Sequence, residues 1–194
     1  MKSFEDLFRS GDAHQDAFRA RLFGLFSEEV VRTWAGDARA EHGDLGRPTL
    51  IAAGEARGTT LDFTLRRRSD DARFVAELKA ELAFEGHRYL RLTTPRQLDH
   101  HAGGEAFRRF LSVTKKPTAY AVRVGGKSMD VAGGILVWGA ISPGGRRAVI
   151  EEFGFADVLS PEDMLSDRHD WGSAAWRQRI STYRRWAAGL LDAL

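Results

Sequence analysis

A chain of 194 residues with 43% hydrophobic and 29% charged side chains has the makeup of a globular protein with one sizeable core, not of a disordered regulator. Its formal net charge of +2 gives no strong electrostatic footprint for nucleic acid. The absence of cysteine excludes disulfides and thiolate chemistry and fits a cytoplasmic protein. No apolar run approaches the roughly 20 residues of a membrane helix, and the start MKSFEDLFRSGD is expected not to be a signal peptide.

The spacing of Phe18, Leu22, Phe23, Phe26, Val30 and Trp34 predicts an amphipathic helix over residues 14–34, ended by Gly36-Asp37. A polar loop through Gly46 follows. Strands are expected over 47–56, with Pro48 at the start, over 60–66 and over 73–82, joined by turns at Gly58 and at Ser69-Asp70-Asp71. Together they read as a three-stranded antiparallel meander. His87 to Leu92 fits a strand or the start of a helix, and Glu105 to Val113 a helix with Phe107, Phe110 and Leu111 on one side. Strands over 120–124 and 135–141 precede a turn at Ser142-Pro143-Gly144-Gly145 and a further strand over 148–155. Ser160-Pro161-Glu162-Asp163 has the pattern of a helix cap. A final helix over 173–194 carries Trp176, Ile180, Tyr183, Ala187, Leu190 and Leu194 on one face. The expected fold is mixed α/β in a single domain.

Chemistry concentrates on RFVAELKAEL. Alternation places Phe74, Ala76, Leu78 and Ala80 on one face and Val75, Glu77, Lys79 and Glu81 on the other, with Glu77 and Lys79 about 7 Å apart along the strand. Lysine is scarce, occurring only at positions 2, 79, 115, 116 and 127, so one inside a strand is conspicuous. Asp62 lies on the polar side of the preceding strand, and the right register brings it beside Glu77. Two carboxylates next to one ammonium suit Mg²⁺, or Mn²⁺ in its place, together with water and a substrate phosphate.

Asp62, a fourteen-residue gap and then Glu77-Leu78-Lys79 resemble the signature of the PD-(D/E)xK nucleases. The element order over residues 13–141 is similar to their restriction endonuclease-like core, and residues 173–194 would be an added C-terminal helix. Leu61 stands where many members have proline. The resemblance implies phosphodiester hydrolysis that leaves a 5′-phosphate, with DNA as substrate and RNA left open. Asp62 and Glu77 would hold the metal, the Leu78 carbonyl would lie between them, and Lys79 would serve the attacking water. Many members add a glutamate from the first helix. Of the two candidates, Glu29 lies at the edge of the apolar face and Glu28 points away, so Glu29 is the expected fourth residue.

Arg66 and Arg67 near Asp62, and Arg177, Arg184 and Arg185 among the aromatics of the last helix, are candidate nucleic-acid contacts. The mild charge implies modest affinity, a homodimer, or delivery by a partner protein. Bland readings compete: Glu-x-Lys also arises as a solvated cross-strand pair, and Glu55 and Glu81 read as surface charge. His87, His100 and His101 lack cysteine partners and His-x-x-x-His spacing, so they are expected not to bind zinc. Two other functions stay open. One is a non-catalytic nucleic-acid-binding or regulatory module on the same scaffold. The other is a curved sheet enclosing an apolar ligand beneath the final helix.

Overall fold

The computed structural model describes residues 4–83, 86 and 88–192, apart from the side chains of residues 190 and 191. In chain order the elements are α1 (Ala13–Ala35), β1 (His42–Asp44), β2 (Pro48–Ile51), β3 (Thr59–Thr60), β4 (Phe63–Arg67), β5 (Arg73–Lys79) and β6 (Arg91–Leu92). Then come α2 (Glu105–Lys115), β7 (Ala121–Val124), β8 (Lys127–Ser128), β9 (Gly134–Trp138), β10 (Ala140–Ile141), α3 (Pro143–Phe153), β11 (Asp157–Leu159), α4 (Pro161–Asp170) and α5 (Ala174–Asp192). Short 3-10 turns occupy Glu5–Leu7, Pro95–His101 and Pro117–Ala119. The fold is mixed α/β. No helix among the described residues is long and apolar enough to cross a membrane.

The central sheet has the order β1-β4-β5-β9-β11. β1, β4 and β5 are antiparallel neighbours, whereas β5, β9 and β11 run parallel. One side is covered by the second half of α1, where Val30, Val31 and Trp34 pack on Phe63, Leu65, Phe74, Ala76, Leu78 and Val137. The other side is covered by α2, where Phe107, Phe110 and Val113 pack with Val75, Leu136 and Trp138. A Cβ at Gly134 would overlap Thr114 Oγ1 and the Phe110 ring, so glycine is what lets α2 sit this close to β9.

Several expected elements are corrected. The strand expected over 47–56 is only β2, and it belongs to a second sheet of order β3-β2-β7-β8. The meander's first strand is instead β1, inside the expected polar loop, where three residues are too few to show alternation. The strand expected over 60–66 is two strands in two sheets, split at Leu61-Asp62. Leu61 therefore enters the α2 side, while Phe63 and Leu65 enter the α1 side.

The strand expected over 148–155 is helix α3. Ser142 caps it by accepting from the Gly145 N–H, and Pro143 occupies its first turn, so the apparent turn is a helix start. The parallel strand that follows is β11. Ser160 caps α4 as expected.

Phe18 and Leu22 do not line a buried face of α1. They are exposed together with Leu25. A helix of 23 residues is about 34 Å long, and β5 spans only about 23 Å, so the sheet covers one end of it. On α5, Trp176, Ile180 and Tyr183 are half-buried, but Ala187 and Trp186 are exposed. His87, Leu194 and the Leu190 side chain lie outside the described residues.

Candidate active site

β5 is gripped between β4 and β9, which fixes its register on both sides. Phe63 pairs with Ala76, so Asp62, one residue before β4, falls beside Glu77, and Glu77 and Lys79 stand opposite Leu136 and Trp138. Asp62 sits in the break between the two sheets, outside the backbone ladder. Its Oδ2 accepts the Leu78 N–H at 2.9 Å, which holds the carboxylate against β5. Its Oδ1 lies 3.6 Å from an Arg47 guanidinium nitrogen.

Glu77 is 4% exposed, on the α2 side of the sheet. Its Oε1 accepts from Lys79 Nζ at 2.6 Å, and its Oε2 is buried without a hydrogen-bond partner. Burial pushes this carboxyl above its ordinary value. The Lys79 ammonium pulls it back, and the neighbouring Asp62 charge adds to the rise. The arrangement is two carboxylates and one ammonium at the margin of an apolar core. Glu77 Oε2 makes no hydrogen bond within bonding geometry among the described residues, and the nearby Asp62 backbone N–H also favours the charged form.

Asp62, Glu77 and Lys79 are thus brought together. Glu29 is not. It accepts from Arg179 at 2.6 Å and from the Tyr183 hydroxyl at 2.7 Å, joining α1 to α5 on the other side of the sheet. These contacts hold its carboxyl below the ordinary value against the opposing effect of burial. Its place at the edge of the apolar face thus has a structural cause, and Glu28 pairs with Arg32.

Arg66 and Arg67 lie toward the far end of β4, about 13 Å along the strand from Asp62. They pair within their own hairpin with Asp71 and Asp70. Arg177, Arg184 and Arg185 are exposed on α5, and no hydrogen bond or ion pair joins them to the cluster. The hollow along α5 is lined by that helix alone, from Ala175 to Trp186, so it is a surface groove and not an enclosed apolar cavity.

Sequence reasoning missed two features. Arg47 is the basic side chain next to Asp62, and nothing in its spacing marks it. A second polar cluster, Glu81 with His100 and His101, lies two residues beyond β5. Glu81 reads from the sequence as surface charge and the two histidines as non-ligands, and nothing in the spacing of positions 81, 100 and 101 shows that they meet. His101 is pushed down to about 3, first by burial and then by the neighbouring His100 and Lys79 charges, so its imidazole is neutral. Comparison with family models, with curated proteins and with solved structures finds no match to this chain.

Proposed function

We propose that the protein is a divalent-metal-dependent nuclease of the PD-(D/E)xK type that hydrolyses phosphodiester bonds of DNA. One observation carries the reading. Glu77 buries a carboxylate with one oxygen on Lys79 and the other unpartnered, directly beside Asp62. A buried polar atom without a partner costs stability, so it calls for a ligand that supplies the missing interaction. Two carboxylate groups are a fitting donor set for Mg²⁺ or Mn²⁺, with Asp62 and Glu77 as the residues that would hold it. The order α1, β1, β4, β5, α2, β9 follows the helix, three-stranded meander, helix, strand sequence expected of a restriction endonuclease-like core and supports the same reading, although Asp62 stands just before β4 and not within a strand.

A bound Mg²⁺ or Mn²⁺ supplies phosphate neutralisation and a water of lowered pKa. The chain's own residues do the rest. Lys79, held by Glu77 at the rim of the core, orients the attacking water and offsets charge gathering on the phosphorus oxygens. Arg47, 52% exposed, stands where it can leave Asp62 for a substrate phosphate. Asp62 is kept from turning away by the Leu78 N–H. Water adds to phosphorus and the 3′-oxygen leaves with a proton, giving a 5′-phosphate and a 3′-hydroxyl.

The test is cleavage of plasmid, single-stranded DNA and RNA by tag-free protein with Mg²⁺, Mn²⁺ or EDTA, beside Glu77→Gln, Asp62→Asn and Lys79→Ala. Metal-dependent cutting of DNA that each substitution abolishes is the expected result. Cutting that survives all three overturns the site. Salt-sensitive DNA binding without any cutting overturns the enzyme and leaves a binding module.

A further inference from the structure

Beyond the Asp62–Glu77 pair the alternation of β5 carries one more acidic side chain to the same face, Glu81. Its backbone is anchored there, since its C=O accepts the Leu90 N–H at 2.8 Å. The chain then returns through the 3-10 turn Pro95–His101. A capping box between Thr94 and Gln97 opens that turn, and Leu98, 1% exposed, fastens it to the core. Its last two residues face Glu81. His100 Nε2 is 3.1 Å from Glu81 Oε1, and His101 Nε2 is 3.4 Å from the same oxygen.

We propose that Glu81, His100 and His101 form a binding site for a borderline transition-metal ion of the Zn²⁺ class, separate from the Asp62–Glu77 pair. Three features of the geometry point to it. One ligand atom from each residue lies within 4.8 Å of the other two. Two ligands bonded at about 2.0–2.1 Å to a tetrahedral ion stand roughly 3.3 Å apart, and the two nitrogen-to-oxygen separations straddle that value. His101 Nε2 is also buried with no hydrogen-bond partner, so the hydrogen bonds of the cluster leave one donor atom unused.

The rings are preset for this role. His100 and His101 pack with centroids 3.8 Å apart, His100 against Phe4 and Phe8 and His101 against Phe107 and Trp138. Side chains locked by packing lose little entropy when a ligand binds.

Two imidazoles and one carboxylate select Zn²⁺, Co²⁺ or Ni²⁺ over the oxygen-seeking Mg²⁺ and Ca²⁺. The position argues against a second catalytic ion. Glu81 is four residues past Glu77, about 13 Å along an extended chain, whereas paired catalytic metals stand about 3.5–4 Å apart. Lys79 lies between the two. The ion would instead tie the Pro95–His101 turn to the chain beyond β5, next to Lys79. This inference stands independently of the nuclease reading.

The test uses tag-free full-length protein, stripped with a chelator and dialysed, then titrated with Co²⁺ and followed by visible absorption, with Mg²⁺ as control. Expected are ligand-field bands of imidazole coordination that saturate at one Co²⁺ per chain, their loss on displacement by Zn²⁺, and no competition for them from Mg²⁺. Glu81→Gln, His100→Gln and His101→Gln are each expected to weaken Co²⁺ binding by at least about tenfold, and Glu77→Gln to leave it intact. Circular dichroism checks that each variant is folded; if His101→Gln is not, Glu81→Gln and His100→Gln decide. No Co²⁺ bands, binding unchanged in these variants, or equal loss in Glu77→Gln overturns the site.

Discussion

Replacing Glu77 and Lys79 together by methionine tests whether this buried pair is kept for function or for stability. The two side chains are 5% and 22% exposed and stand opposite Leu136 and Trp138, so two thioether chains of similar length fit the same apolar surroundings. Exchanging a buried ion pair for hydrophobic residues is neutral or stabilising by about 1–4 kcal/mol, because two charges no longer have to be desolvated. Lys79 keeps about a fifth of its exposure, which moves the expectation to the lower half, about 1–2 kcal/mol. At about 2–4 °C per kcal/mol for a chain of this size, Tm should rise by about 2–8 °C. Thermal unfolding followed by circular dichroism measures this, and the plasmid assay on the same preparation should show no cutting. Mg²⁺ or Mn²⁺ should raise the Tm of the parent protein and not that of the double variant. A folded double variant with a lower Tm than the parent would refute the reasoning, since the pair would then be part of what holds β5 in place.

Glu29→Gln should leave DNA cutting unchanged and lower stability by at most about 1 kcal/mol, because it only loosens a partly exposed contact with Arg179 and Tyr183; a large loss of cutting would return Glu29 to the site. His42 is buried between the Trp34 and Phe74 rings, and burial holds its imidazole below the usual value of 6.5. The folded protein therefore resists the proton that the unfolded chain accepts, and stability is lost as pH falls below about 6.5. Urea denaturation between about pH 7 and pH 5 should show a smaller loss in His42→Phe than in the parent. Gly134→Ala drives a Cβ into Thr114 Oγ1 and should cost about 1–3 kcal/mol, partly restored by adding Thr114→Ala; an unchanged denaturation midpoint would count against the close α2–β9 approach.

The legible parts of the fold were those with long or repeated local signals. α1, α2 and α4 follow from periodicity and caps, and β5 from seven alternating residues. What stayed hidden was set by tertiary pairing. β1 is three residues of polar sequence made into a strand by its neighbour β4. Residues 60–66 alternate without interruption, yet the chain changes sheets inside them. At Ser142-Pro143 the same residues that make a turn also make a helix start, and only the following residues choose. At the site, Asp62, Glu77 and Lys79 were readable because β5 pairs in the register that the apolar alternation demands. Glu29 misled because an edge-of-face carboxylate has two causes, and an arginine and a tyrosine from α5, 150 residues away in sequence and beyond, supply the second. The Glu81–His100–His101 cluster depends on a return of the chain that no spacing rule contains.

The split between β3 and β4 explains why an aspartate stands at position 62. A strand that continued through residues 61 and 62 would offer β5 a backbone partner for the Leu78 N–H. Because the chain enters from the second sheet there, that donor needs another acceptor in a half-buried place, and the Asp62 carboxylate supplies it. One hydrogen bond thus closes the end of the ladder and aims the carboxylate at Glu77. The two roles separate by substitution. Asp62→Asn keeps a carbonyl oxygen for the Leu78 N–H and removes the charge, so it should abolish metal-dependent cutting while leaving the urea midpoint near that of the parent. Asp62→Ala removes both and leaves a backbone donor unsatisfied, at a cost of about 1–3 kcal/mol. If the asparagine variant is as destabilised as the alanine variant, the charge and not the hydrogen bond holds Asp62 against β5. The link between the sheet split and the site would then fail.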